Sequence, residues 1–180
     1  MVKHCLRKTV GRSTLTVEEL TTVIVEIEST LNNRPLTFLY DDEQGMSRAL
    51  MPADLIYGHR LASNRQFEID NTSQNLTRRA RYQYQLLKNF IRNWQRDYLL
   101  SLRERAIKHG SQKNSMIKEG DIVVLKEDCT ARCLWKLAKI AELITGRDGR
   151  AQAAKVQFLS KDKVTTIRRP VQHLVPLEVN

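Results

Sequence analysis

Apolar residues recur every three or four positions through the earlier part of the chain and every second position in the later part. Helices therefore lead and strands follow. Cys5, Leu6 and Val10, set among basic residues, open a helical pattern that Gly11 stops. Thr16-Val17-Glu18-Glu19 has capping-box spacing, in which Thr16 caps a helix and Glu19 reaches back to it. From there Val17, Leu20, Ile24, Ile27 and Leu31 predict an amphipathic helix, and Pro35 ends it because its ring clashes with the preceding turn. The segment Asp41 to Gly45 reads as a polar turn. Pro52 to Tyr57 reads as a short helix closed by Gly58, and residues 60–75 are polar and irregular.

The longest predicted element runs from about Ser73 to His109. On a wheel of about 100° per residue, Leu76, Ala80, Tyr84, Leu87, Ile91, Trp94, Tyr98 and Leu102 fall within about 80°. Arg78, Arg81, Lys88, Arg92, Arg96 and Arg103 fall within about 80° on another face, with Asp97 and Glu104 outside it. The apolar stripe is read as packing on a core. The basic stripe is read as facing phosphate, in preference to long side chains that merely flank that core.

After the link Gly110 to Ser115 the period changes. Asp121-Ile122-Val123-Val124-Leu125-Lys126, Ala154-Lys155-Val156-Gln157-Phe158 and Val164-Thr165-Thr166-Ile167 read as strands, and Thr145-Gly146-Arg147-Asp148-Gly149 as a hairpin turn. Leu134 to Ile144 favours helix by propensity, but its place between a strand and a hairpin argues for strand. Four or five short strands within about 65 residues predict a small all-β barrel, and with the helices an α+β fold.

Composition adds one fact that matters. Apolar and charged fractions of 41% and 28% are ordinary, whereas a net charge of +10 and a pI near 9.8 point to an acidic partner, most often nucleic acid. The charge is uneven: residues 1–77 carry a net −2 and residues 78–180 a net +12. Three widely spaced cysteines make no disulfide framework. No apolar run approaches the roughly 18 residues of a membrane span, and Met1 to Lys8 lack the apolar core of a signal peptide. The expectation is a soluble protein of a reducing compartment.

Candidate chemistry is thin. A two-metal phosphoryl-transfer site needs convergent carboxylates, and Asp41-Asp42-Glu43 are neighbours in one turn. Glu18, Glu19, Glu26 and Glu28 belong to a helix, Cys129 and Cys133 with His173 lack a second pair of zinc spacing, and the four histidines form no triad pattern. No phosphate-cradling Gly-rich loop or nucleophile elbow is present. Residue by residue, the chain reads as a binding module rather than an enzyme.

Several blocks nevertheless form a family pattern. Leu6-Arg7-Lys8, Leu15 to Leu20 and Glu26 to Thr37, with its Asn33-Arg34-Pro35-Leu36-Thr37 core, resemble the end of the catalytic core of BEL/Pao retrotransposon integrases. Met51 to Gly58 is similar to the short helix that follows in many retroelement integrases. The spacing of Trp94, Tyr98, Leu99, Leu102 and Arg105 resembles that family's linking helix. Gly120 to Val124, Trp135, Gly146-Arg147-Asp148-Gly149, and Arg169-Pro170-Val171 with Leu174, Leu177 and Glu178 are similar to its closing domain.

The resemblance implies a parent enzyme with an RNase H-like core, an Asp, Asp, Glu triad and two Mg²⁺ or Mn²⁺ ions. The triad glutamate of that family precedes the stretch matched by Met1 to Leu6, so no catalytic residue, metal ligand or cofactor is carried onto this chain. Met1 is expected to lie inside a longer reading frame. The implied organisation is a helical core remnant (1–58), a connector (59–75), a long basic amphipathic helix (76–112) and an SH3-like barrel (116–180). The implied partners are the phosphate backbone of DNA, without sequence readout, together with chromatin proteins and further copies of the chain; no membrane is implied. The implied location is the nucleus, with a cytoplasmic particle stage. Candidate phosphate contacts are Arg81, Lys88, Arg92, Arg96 and Arg103 on the helix and Arg147, Arg150, Arg168 and Arg169 on the barrel. The runner-up readings are a domesticated DNA-binding protein and a chromatin-targeting module, whose barrel would offer Trp135 and Phe158 to a methyl-lysine.

Overall fold

The computed structural model describes residues 2–11, 14–41, 46–58, 77–109, 117–126, 135–160 and 163–177. Outside them lie the connector, the link after the long helix, most of the acidic turn, Leu76, His59, Cys129 and Cys133. The elements run α1 (Val2–Val10), α2 (Val17–Asn32), β1 (Thr37–Asp41), β2 (Met46–Leu50), α3 (Pro52–Tyr57), α4 (Arg78–His109), β3 (Ile122–Leu125), β4 (Lys136–Thr145), β5 (Ala151–Ser160), β6 (Lys163–Pro170), a 3-10 turn (Val171–His173) and β7 (Leu174–Pro176). This is an α+β fold.

The described residues cluster into two compact units. The first takes those of Met1–Arg34 and Pro52–Tyr98. The second takes those of Pro35–Met51 and Leu99–Asp128, and the chain from Trp135 onward.

In the first unit the capping box is formed in full: Glu19 N–H donates to Thr16 Oγ1 at 3.3 Å, and Thr16 N–H donates to Glu19 Oε2 at 2.8 Å. Helix α2 does not bury the expected stripe. Val23, Ile27 and Thr30 are inside, while Val17 is 81% and Ile24 47% exposed. The buried arc lies to one side of the apolar stripe and meets it only at Ile27. Thr30 tolerates burial because its hydroxyl donates to Glu26 O at 2.9 Å. The Asn33-Arg34-Pro35 block ends the helix by chemistry as well as by the proline: Asn33 Nδ2 donates to Ser29 O and Arg34 Nη1 to Leu31 O, both at 2.9 Å, adding side-chain donors to carbonyls that already accept from the Asn33 and Arg34 N–H groups in the closing turn.

The second unit holds a feature that the sequence reading placed in a helical segment. Thr37–Asp41 and Met46–Leu50 pair as antiparallel strands, Thr37 facing Leu50 and Asp41 facing Met46, and β2 contacts β4. The larger sheet is antiparallel in the order β6-β5-β4-β3-β7. The expected barrel is not closed by hydrogen bonds, since no ladder joins β6 to β7 among the described residues. Strand β3 is buried at all four positions. Val123, Leu125, Ala138, Ile140, Ala154, Val156, Leu174 and Ile117 make the core.

The segment of helical composition is indeed strand β4. Ala138 and Ile140 point inward, a register shift between Ile140 and Glu142 reverses the alternation, and Leu143 then packs on the core. Position and pairing override propensity here.

Candidate nucleic-acid interface

Thr77 stands just before helix α4, and its hydroxyl accepts from Ala80 N–H at 3.2 Å. Its first turn carries Arg78 and Arg79 and no acid, which the helix dipole disfavours. Glu19 compensates within the first unit. Its carboxylate takes the Arg79 guanidinium in a two-point grip through Nε and Nη2, the latter at 2.7 Å to Oε2, while still accepting from Thr16. The Arg79 hydrogen bonds first, then the Thr16 N–H, hold the Glu19 carboxyl at about 2 against an ordinary 4.5. The folded value is depressed, so the contribution of this grip to stability is full above about 4.5 and is lost as pH falls through about 2. In Arg79→Ala the Glu19 carboxyl is expected to titrate back toward the ordinary range, which a carbon-detected NMR titration of its side chain measures.

The buried positions of α4 do not follow a straight stripe. They are Leu86, Phe90, Trp94, Tyr98, Leu102 and Ala106, a strict i, i+4 row. Four residues turn about 400°, so such a row winds around the helix by about 40° per step, which is the inclined ridge used in helix packing. The wheel's stripe crosses this row at Trp94, Tyr98 and Leu102. Ala80, Tyr84, Leu87 and Ile91 are only half-buried, and Leu86 and Phe90 replace them in the core. Trp94 and Tyr98 stack with ring centroids 5.3 Å apart.

The winding decides the fate of the basic stripe. Arg78, Arg81, Arg92 and Arg96 are exposed and Lys88 is half-buried. Arg103 lies near Ala106 at the end of the buried row, and its Nη2 donates to Gln172 O. It is a structural contact within the second unit, and its charge is partly committed. Arg96 keeps a loose, exposed pair with Asp97 at 3.5 Å, of the kind that contributes little. Asp97 also accepts from the Cys5 thiol at 3.4 Å, and burial, then this bond, pushes the thiol pKa up. From Arg81 to Arg96 the exposed run extends about 22 Å along the helix.

The other candidates are less concerted. Arg147 and Arg150 are exposed in the β4–β5 turn, where Asp148 Oδ1 accepts from Arg150 N–H at 3.2 Å and Gly149 supplies the positive φ of 71°. Arg168 and Arg169 are both exposed, but as strand neighbours they point to opposite faces of the sheet. Sequence reading missed Lys139 and Lys155, which share the face of Arg168. Lys155 stands directly opposite Arg168 and bonds Glu142 at 2.7 Å on its other side, and Lys139 stands opposite Gln157. The alternation of Ala154 to Phe158 contained this signal, since it places Lys155 and Gln157 together on the polar side.

Phe158 packs against the core, and Lys136 Nζ already sits 5.8 Å from its ring centroid, so the proposed cage shares that ring with a cation of the chain itself. A cavity of about 10 Å³ between Leu137, Lys139, Gln157 and Leu159 has room for one water. Among the described residues no group of three His, Cys, Asp or Glu side chains could hold a metal ion, and no helix is long and apolar enough to cross a membrane.

No curated protein and no solved structure matches this chain. Residues 78–177, which hold α4, the five-stranded sheet and all nine candidate cations, match the family described as a family of unknown function (DUF5641), and the chain belongs to that family.

Proposed function

We propose that this chain is the C-terminal part of a BEL/Pao-type retrotransposon integrase, acting in the nucleus, that holds duplex DNA by its phosphate backbone and does not itself cut or join it. The observation that carries the reading is the run Arg81, Lys88, Arg92 and Arg96 on one face of α4, three of its members exposed, in a segment of net charge +12. A single-faced row of guanidinium and ammonium groups fits a uniformly spaced row of phosphates and reads no base edges. The blocks that resemble the integrase family supply the rest of the proposal. No step of chemistry is assigned to any residue here.

Binding to a duplex of arbitrary sequence should weaken steeply with salt, with a log–log slope of about −0.9 per phosphate contact, and scrambling the sequence should leave it unchanged. A flat salt dependence, or strand transfer by the chain alone, overturns the proposal.

A further inference from the structure

We propose that the outer edge of β6 is a docking site for an extended acidic peptide, which adds to the sheet as a further strand. Strand β6 pairs with β5 over its whole length, Lys163 against Ser160 through Pro170 against Ala153, without a register shift. Among the described residues no strand pairs with its other side. Every second N–H and C=O of β6 therefore points away from the sheet.

Edge strands are usually blunted by being short, bulged or charged along their length. Strand β6 is eight residues long and regular, and its middle, Val164-Thr165-Thr166-Ile167, is β-branched and uncharged. Its charges, Lys163, Arg168 and Arg169, lie toward the ends. Beside the edge, Val164 (56% exposed) stands opposite Leu159 (41% exposed), an apolar pair on which an incoming side chain can rest.

Charge selects the occupant. The strand carries three cations, Lys163, Arg168 and Arg169, and no acid, and the one carboxylate beside it among the described residues, Glu142, is already taken by Lys155 opposite Arg168. A second copy of β6 would add three more cations, so self-pairing is disfavoured. A strand with carboxylates at its ends meets these cations while its main chain completes the ladder, which is how added strands gain affinity. This site is independent of the α4 face on which the DNA reading rests.

The test uses the full chain and labelled eight-residue peptides of alternating Glu and Val, followed by fluorescence anisotropy. One peptide is unmodified, and two carry backbone N-methyl groups on alternate residues, in the two possible registers. The unmodified peptide should bind. One methylated register, which removes the hydrogen bonds to β6, should weaken binding at least about tenfold, and the other should leave it within about twofold. The double variant Arg168→Glu/Arg169→Glu, with its fold checked by circular dichroism, should also weaken binding at least about tenfold. Failure of the unmodified peptide to bind overturns the proposal, as does equal binding of both methylated registers, which would mean adsorption by charge alone. Duplex DNA binding that depends on Arg168 and Arg169, with no peptide bound, likewise overturns it by giving this edge to nucleic acid.

Discussion

Replacing Arg81, Arg92 and Arg96 together with alanine is expected to separate variant and parent most widely at low salt. All three side chains are exposed on α4, and alanine is the best helix former, so the helix itself survives the change. Every phosphate left without its cation lowers the log–log salt slope by about 0.9, hence by about 2.7 for three. Curves for the two proteins should then converge near 1 M salt and stand roughly 500-fold apart at 0.1 M. Duplexes of different sequence should lose affinity alike, because base edges are not read by these side chains. Arg103→Ala makes an internal control. With its guanidinium held by Gln172 O, it should change the slope less than any of the three and lower stability more. A triple variant that keeps the parent's slope would move the interface off α4.

Phe90→Ala should be, with Trp94→Ala, the most destabilising change in the long helix, at about 3–5 kcal/mol, because the side chain is fully buried and its removal leaves a cavity. That loss is a large share of the roughly 5–15 kcal/mol that domains of this kind possess. The neighbours Leu86 and Leu87 give a sharper comparison of the winding row with the straight stripe. Leu86 is 5% exposed and Leu87 is half-buried, yet the wheel puts only Leu87 in the core. Leu86→Ala should cost about 2–5 kcal/mol and Leu87→Ala less than half of that, read as midpoint shifts in urea at constant m. The reverse order would mean that α4 is rotated toward the wheel's stripe.

Local chemistry was legible and tertiary geometry was not. The capping box at Thr16, the stop at Pro35, the short helix before Gly58 and the hairpin around Gly149 each follow from a few adjacent residues whose stereochemistry leaves little choice. Met46-Ser47-Arg48-Ala49-Leu50 holds no strong strand former, and β2 exists because β1 pairs with it. The rotation of α2 away from its apolar stripe, and the i, i+4 winding of α4, depend on what packs against each helix. For the candidate site, the sequence located the helix stripe but could not foresee that a backbone carbonyl 69 residues away in sequence would take Arg103. Nor could it assign Arg168 and Lys155 to one face before the register of β5 and β6 was known.

The β1–β2 hairpin has a consequence in time. Its strand β2 contacts β4, which is synthesised roughly ninety residues later, a delay of about 4–18 s at ordinary elongation rates. A two-stranded hairpin alone is at best marginally stable in water. Strands β1 and β2 must therefore wait, through the making of the whole of α4, for the strand that steadies them. A pair of strands made before α4 is thus among the last parts of the second unit to settle, and a chain released before β4 would hold it with nothing to rest on.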